Sequence, residues 1–210
     1  MEKKKAVKGT LPGRTHATGP GGLSAEAFAR WYRDQSLAQW NGLDVGGVAR
    51  LADVIVRAEK AGRQVFVMGN GGSAATASHI ACDLCKTAAT PKGPRLRCIS
   101  LADNVSFITA IGNDLSFDDI FSRQLENLVQ EGDVVVLVSG SGNSPNLLKA
   151  ARFAKERGAT VASLLGFDGG KLLAQSDISV LVASDQYGVI EDLHLSIGHI
   201  LTFFLKQRRA

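Results

Sequence analysis

The chain has 210 residues, 45% of them hydrophobic and 21% charged, which suits one globular domain with a full core. Its three cysteines are too few and too irregularly spaced for a disulfide framework, and no apolar run approaches the ~20 residues of a membrane helix. The net charge of +4 sits in residues 1–22, which carry five basic residues and one acidic one; the other 188 residues balance at 19 to 19, so no basic nucleic-acid face is expected on the folded part.

The opening "MEKKKAVKGTLPGRTHATGPGG" is rich in Gly, Pro, Thr and Lys. It holds too little apolar area to offset its ordering entropy, so 1–22 is predicted to be a disordered basic tail and 23–210 a single domain. A nucleic-acid role would rest on this arm alone. No charged-then-apolar leader is seen, and with the cysteine usage this points to a reducing, cytoplasmic setting.

Order is predicted from Ser24. "SAEAFARWYRDQSLAQWNGL" has a Ser cap and apolar residues at helical spacing, Phe28, Trp31, Leu37 and Trp40. A second helix follows, with Asp44 as its cap and Gly62 as its stop. Strands and helices then alternate. Strands are predicted at 65–68, 96–101, 133–138, over "TVASLLG" and over "DISVLVA". Helices are predicted at 73–86, over "NVSFITAIGND", over "SFDDIFSRQLENLVQEG", over "SPNLLKAARFAKERGA" and over "GVIEDLHLSIGHILTFFLKQRR". Pro145 falls in a first turn, where its missing N–H does no harm. Strands apolar throughout and alternating with helices indicate an α/β, doubly wound three-layer sandwich on a five-stranded parallel sheet. Two helices lead it and a long helix closes it.

In such sheets a ligand sits beyond the carboxyl ends of the strands, at the switch in strand order. The loops after strands one and three therefore matter most. They read "GNGGSA" and "SGSGNSPN". In the first, Asn70, Gly71 and Gly72 lead to Ser73 at a helix start, whose free N–H groups favour an anion. In the second, Ser139, Ser141 and Ser144 surround Gly140, Gly142 and Asn143. Hydroxyls and backbone N–H groups can ring a phosphate without a basic side chain. Gly69-x-Gly71-x-x-Ala74 also fits the loose dinucleotide fingerprint. The acidic residue expected about 20 positions on is missing, since "AATPKG" holds none and Asp103 comes too late. No Gly-Lys-Ser/Thr follows either, so no nucleotide cofactor is expected.

His79 and Asp83 stand four residues apart on the helix that leaves the first loop, facing the same way. In the last helix, at ~100° per residue, Glu191 and His199 differ by about 80° and Asp192 and His199 by about 20°. Two His with two carboxylates can form a nitrogen/oxygen metal site or an acid/base pair, and spacing alone does not choose. His194 reads as a core histidine. Cys82 and Cys85 form a C-x-x-C without a redox context and read as packing or bystander thiols.

With these residues assembled, the chain resembles the sugar isomerase (SIS) domain family, and within it the bacterial phosphoheptose isomerases. The carriers are "GNGGSA", "AIGNDLSFDDIFSRQ", "EGDVVVLVSGSGNSPN", "GFDGGKL" and "EDLHLSIGHIL", in order across roughly residues 30–205. The resemblance implies an aldose–ketose isomerase acting on sedoheptulose 7-phosphate or a close analogue, in a homotetramer whose sites combine neighbouring subunits. It implies that Ser73, Ser139, Ser141 and Ser144 hold phosphate and that Asp114 contacts sugar hydroxyls. Asp83 and His199 match the catalytic carboxylate and histidine. Some members bind Zn2+ through positions matching His79, Asp83, Glu191 and His199.

Four positions depart from the family pattern. The usual Glu is Asp83, one methylene shorter. A usual Gln is Glu191, which adds charge. The usual Arg at the end of the first-loop helix is absent, with Lys86 nearby as a point charge rather than a fork. An Asp usual just before Glu191, in a "Tyr-Ala-Asp"-like stretch, is replaced in "DQYGVIED" by Gly188. A non-catalytic sugar-phosphate sensor or protein-binding adaptor is the alternative that the altered base favours and the retained His79, Asp83, Glu191 and His199 disfavour.

Overall fold

The computed structural model describes residues 19–91 and 93–209. The disorder expected for 1–22 falls on residues outside this range up to Thr18.

Five parallel strands form the sheet: β1 (Gln64–Gly69), β2 (Arg97–Ser100), β3 (Val134–Ser139), β4 (Thr160–Gly166) and β5 (Ile178–Val182). Their order is β2-β1-β3-β4-β5. The register pairs Val65 with both Cys98 and Val134, and Val135 with Val161. The inner strands β1, β3 and β4 bury both faces, since successive side chains point to opposite sides, while the edge strand β2 leaves Arg97 and Ile99 exposed. Val65, Val67, Val134, Val136 and Leu164 face one core, with α2 (Val45–Lys60), α3 (Gly72–Cys82) and α8 (Tyr187–Arg208). Phe66, Met68, Val135, Leu137 and Val161 face the other, with α5 (Ser122–Leu128), α6 (Pro145–Glu156) and α7 (Gly170–Gln175). The Asp133 carboxylate accepts from Gln64 N and Gln130 N, each at 2.8 Å, and ties the start of β1 to β3.

The predicted caps are present. Ser24 opens α1 (Ala25–Asn41) and accepts from Ala27 N at 3.2 Å. Asp44 opens α2 and accepts from Gly47 N at 2.8 Å. The apolar spacing of α1 makes a helix, yet no α1 residue is fully buried in this chain. The helix α4 (Val105–Asp114), opened by Asn104, also buries none.

Four expectations need correction. The helix expected over 73–86 is α-helical only to Cys82; Asp83–Thr87 is a π turn, closed by Ala88 N donating to Asp83 O at 2.9 Å. The helix expected after Ser116 is broken into a 3-10 turn, Phe117–Asp119, and α5. Burial of adjacent Ile120 and Phe121 turns the chain there, and tertiary packing overrides helix propensity. The short α7 was not expected: it has six residues and starts from Gly169 in the left-handed region. Lastly, α8 is long and apolar enough to cross a membrane by length and composition, although half of it is packed inside the protein.

That packing includes His194, 0% exposed, whose Nε2 lies 3.1 Å from Leu165 O. Burial pushes its pKa down to about 4, against the opposing pull of that carbonyl. A histidine depressed in the folded state contributes stability that is present above about pH 6.5 and lost as pH falls toward 4. At ~1.4 kcal/mol per pH unit, wild type should lose about 2 kcal/mol between pH 7 and pH 5 through this group. In urea melts, the gap between wild type and His194→Gln should narrow by that amount; a gap independent of pH would contradict it.

Candidate active site

β1 turns toward β2 and β3 lies on its other side, so the switch in strand order falls between β1 and β3. At their carboxyl ends, α3 begins after Asn70 and Gly71, and α6 begins after the 140–144 loop. Both helices aim their N-termini at the crevice between them. There the structure has a cavity of about 150 Å3 lined by Asn70, Ser73, Ser139, Gly140, Ser141 and Ser144, with Tyr187 and Glu191 from α8. Among the described residues, no Lys or Arg lines it. Two helix N-termini and four hydroxyls give it the means to hold an anion.

The serine loop is built to present its protons. Ser139 Oγ accepts from Gly142 N at 3.0 Å and Ser141 Oγ accepts from Asn143 N at 3.3 Å. Each hydroxyl therefore uses a lone pair internally and keeps its O–H to donate. Ser144 stands at the N-cap of α6 and makes no capping bond. The two loops are joined directly. Asn70 Nδ2 donates to Asn146 Oδ1 and Asn146 Nδ2 donates to Asn70 Oδ1, both at 2.9 Å. Asn146 is 1% exposed.

Glu191 lies against the first turn of α3. A Cβ at position 72 would overlap its carboxylate, so a larger residue there would push the Glu191 side chain aside. Burial raises the Glu191 pKa, and neighbouring Asp192 adds to this. Asp192 in turn accepts from Tyr32 OH at 2.7 Å, which docks α1 on α8.

Farther along α3 lies a second group. His79 Nε2 is 3.4 Å from Asp83 Oδ2, and His199 Nε2 from α8 is 3.7 Å from the same oxygen. The two Nε2 atoms are 3.4 Å apart. Asp83 is the protected member, with 17% of its side chain exposed against 48% for His79 and 42% for His199. These three donors lie within 4.8 Å of one another. Glu191 is placed in the cavity and is not part of this cluster.

Three further residues singled out in the sequence stand elsewhere. Asn143 is turned into the framework: its Nδ2 donates to Ser141 O at 2.9 Å and its Oδ1 accepts from Lys171 N at 3.1 Å. Asp114 is exposed at the end of α4 and accepts from Asn113 Nδ2. Lys86 is exposed on the π turn. Sequence reasoning missed Tyr187, which lines the cavity and packs edge-on against Phe167 at 5.0 Å between ring centroids. Phe167 is in the left-handed region, with φ 50. It also missed Asn146, although that residue closes the quoted stretch "SGSGNSPN", and Thr87, whose hydroxyl bonds Asp83. No periodicity marks any of the three.

A parallel sheet with a serine-lined cavity at its switch point and a titratable cluster on the adjoining helix defines an α/β protein with its candidate site at the carboxyl edge of the sheet. The SIS domain family profile matches residues 32–166, and the chain belongs to that family. Its relatives place it more narrowly. A phosphoheptose isomerase of Trichlorobacter lovleyi is 42% identical over 160 residues, 76% of this chain and 81% of the relative. One of Rhodospirillum rubrum is 42% identical over 154 residues, 73% and 81% of the two chains. The solved phosphoheptose isomerase of Neisseria gonorrhoeae superposes with a TM-score of 0.80 at 30% identity, covering 87% of this chain and 98% of its own. The protein is an enzyme of the phosphoheptose isomerase-like class of aldose–ketose isomerases.

Proposed function

We propose that the protein interconverts sedoheptulose 7-phosphate and D-glycero-D-manno-heptose 7-phosphate, or a close analogue of that pair. The observation that carries this is the separation of two groups along one helix. Ser73 opens α3 at the anion cavity, and His79 and Asp83 lie farther down it. From Ser73 to His79 is ~9 Å along the axis, and to Asp83 ~15 Å. A seven-carbon open-chain sugar phosphate suits such a span once the Asp83 side chain leans back toward the start of α3, with phosphate at the serines and carbonyl at the carboxylate; a three-carbon one is too short.

In this reading Ser73, Ser139, Ser141 and Ser144 bind the phosphate with the N-termini of α3 and α6, and Asn70 borders it. Asp83 removes the proton next to the carbonyl to give an enediol. His199 moves protons at the sugar oxygens and the neighbouring carbon. His79 shares the Asp83 oxygen and steadies it. Two imidazole nitrogens and a carboxylate oxygen suit zinc and form a three-ligand set of catalytic type, so His79, Asp83 and His199 would hold it. Zinc would supply Lewis-acid polarisation of the sugar oxygens. Glu191 belongs to the phosphate end of the cleft.

An exposed apolar face beside the site fits the homotetramer of the same reading. Ile200, Phe203 and Phe204 are exposed beside His199, and an apolar groove of about 270 Å3 runs between α2 and α8. A homotetramer that covers this face would border the imidazole pair, and it would offer Asp114 and Lys86 to a neighbour's cleft. The enzyme is assigned to the cytoplasm.

The test is an isomerisation assay on sedoheptulose 7-phosphate with purified protein, alongside elemental analysis for zinc. Turnover that disappears in His199→Ala supports the reading. Phosphosugar binding without turnover would replace it with a sensor or adaptor, which the short Asp83 side chain favours.

A further inference from the structure

The two oxygens of Asp83 have different partners. Oδ2 faces His79 and His199 at 3.4 and 3.7 Å. Oδ1 accepts the Thr87 hydroxyl at 2.8 Å. A helical threonine commonly bonds the backbone carbonyl four residues back. Here the Asp83 carbonyl is taken by Ala88 N, closing the π turn. The Thr87 hydroxyl is directed to the Asp83 side chain instead. Threonine is β-branched and stiff at χ1, so a hydroxyl fixed in this way holds its partner with little freedom of its own. π turns inside helices recur at functional sites, and this one begins at the residue proposed as base.

We infer that Thr87 is a positioning residue for Asp83: it ties down Oδ1 so that Oδ2 alone is presented to the imidazole pair. The inference rests on the reading of Asp83 as base and zinc ligand. An aspartate is anchored close to the backbone, and without Thr87 its carboxylate is free to turn about χ2 and offer neither oxygen squarely. The bond is half-buried, so water replaces it poorly. Outer groups that orient a ligand typically change metal affinity or activity 10–100-fold.

Thr87→Val keeps the branched shape and removes the donor; Thr87→Ser keeps the donor. Crystal structures of the zinc-free full-length proteins should show the Asp83 carboxylate turned away from His79 and His199 in Thr87→Val and in place in Thr87→Ser. Chelator-buffered calorimetric titration with Zn2+ should give a Kd weakened about tenfold in Thr87→Val and restored to near wild type in Thr87→Ser. A purely structural role would lower the melting temperature and leave the folded protein's zinc affinity unchanged. An unmoved carboxylate with wild-type affinity in Thr87→Val overturns the inference, as does a Thr87→Ser variant that behaves like Thr87→Val. Should wild type bind no zinc, the zinc reading fails separately, and the carboxylate orientation in the crystals still decides the role of Thr87.

Discussion

Asp83→Asn is expected to lower kcat for heptose phosphate isomerisation about 10²–10⁴-fold, the range that a positioned acid/base group supplies, while KM changes little. The substitution keeps size and shape. Thr87 can still donate to the amide oxygen as it does to Oδ1, so the π turn keeps its local bond. What is lost is the carboxylate that accepts the proton next to the carbonyl and that would help to hold zinc. The phosphate cavity is ~15 Å away along α3, so binding should survive. Asp83→Glu is the informative companion. It lengthens the side chain by one methylene, to the Glu that the family resemblance implies, and shifts the carboxylate away from Thr87. The proposed base requires Asp83→Asn to be far worse than Asp83→Glu. Steady-state kinetics on both variants decides this, and near-wild-type turnover in Asp83→Asn would remove Asp83 from the mechanism.

The sequence made the scaffold legible because the scaffold depends on local signals. Strands such as "DVVVLV" are apolar throughout, as strands buried on both faces must be. Ser24 and Asp44 cap their helices where a short polar side chain before an apolar repeat implies it. Alternation of strand and helix then leaves few topologies, and the anion loops fall at the switch point by rule. The site was legible only in part. A helical wheel gives angle and not height. Glu191 and His199 share a side of α8, yet eight residues separate them by ~12 Å along the axis. Glu191 therefore lies on Gly72 in the cavity while His199 joins His79 and Asp83. The π turn has no composition of its own, and with it Thr87 stayed hidden. Asn143 and Asn146 show the same limit within one loop. Both are polar and close to the serines, but only three-dimensional packing sends Asn143 into the framework and pairs Asn146 with Asn70.

Gly142→Ala is expected to destabilise the protein by about 3 kcal/mol or more and to weaken binding of inorganic phosphate at least tenfold, through two separate effects. The residue has φ 62, in the left-handed region, which disfavours alanine by about 1–2 kcal/mol. A Cβ there would also overlap the carbonyl oxygen of Gly169, a backbone atom that cannot rotate aside. Relief requires the serine loop to move off α7. The loop is held there by Leu172 N donating to Gly142 O at 2.9 Å, and Gly142 N is the donor to Ser139 Oγ. Moving it misplaces the hydroxyls proposed to hold the phosphate. Gly62 separates the two effects. It has φ 64, but nothing lies within 4 Å of the position a Cβ would take, so Gly62→Ala should cost only the backbone part, about 1–2 kcal/mol, with phosphate affinity intact. Urea denaturation and calorimetric phosphate titration of the two variants measure both quantities. Equal losses of stability would show that the loop yields freely to the added methyl group. Unchanged phosphate affinity in Gly142→Ala would place the anion somewhere other than the serine loop.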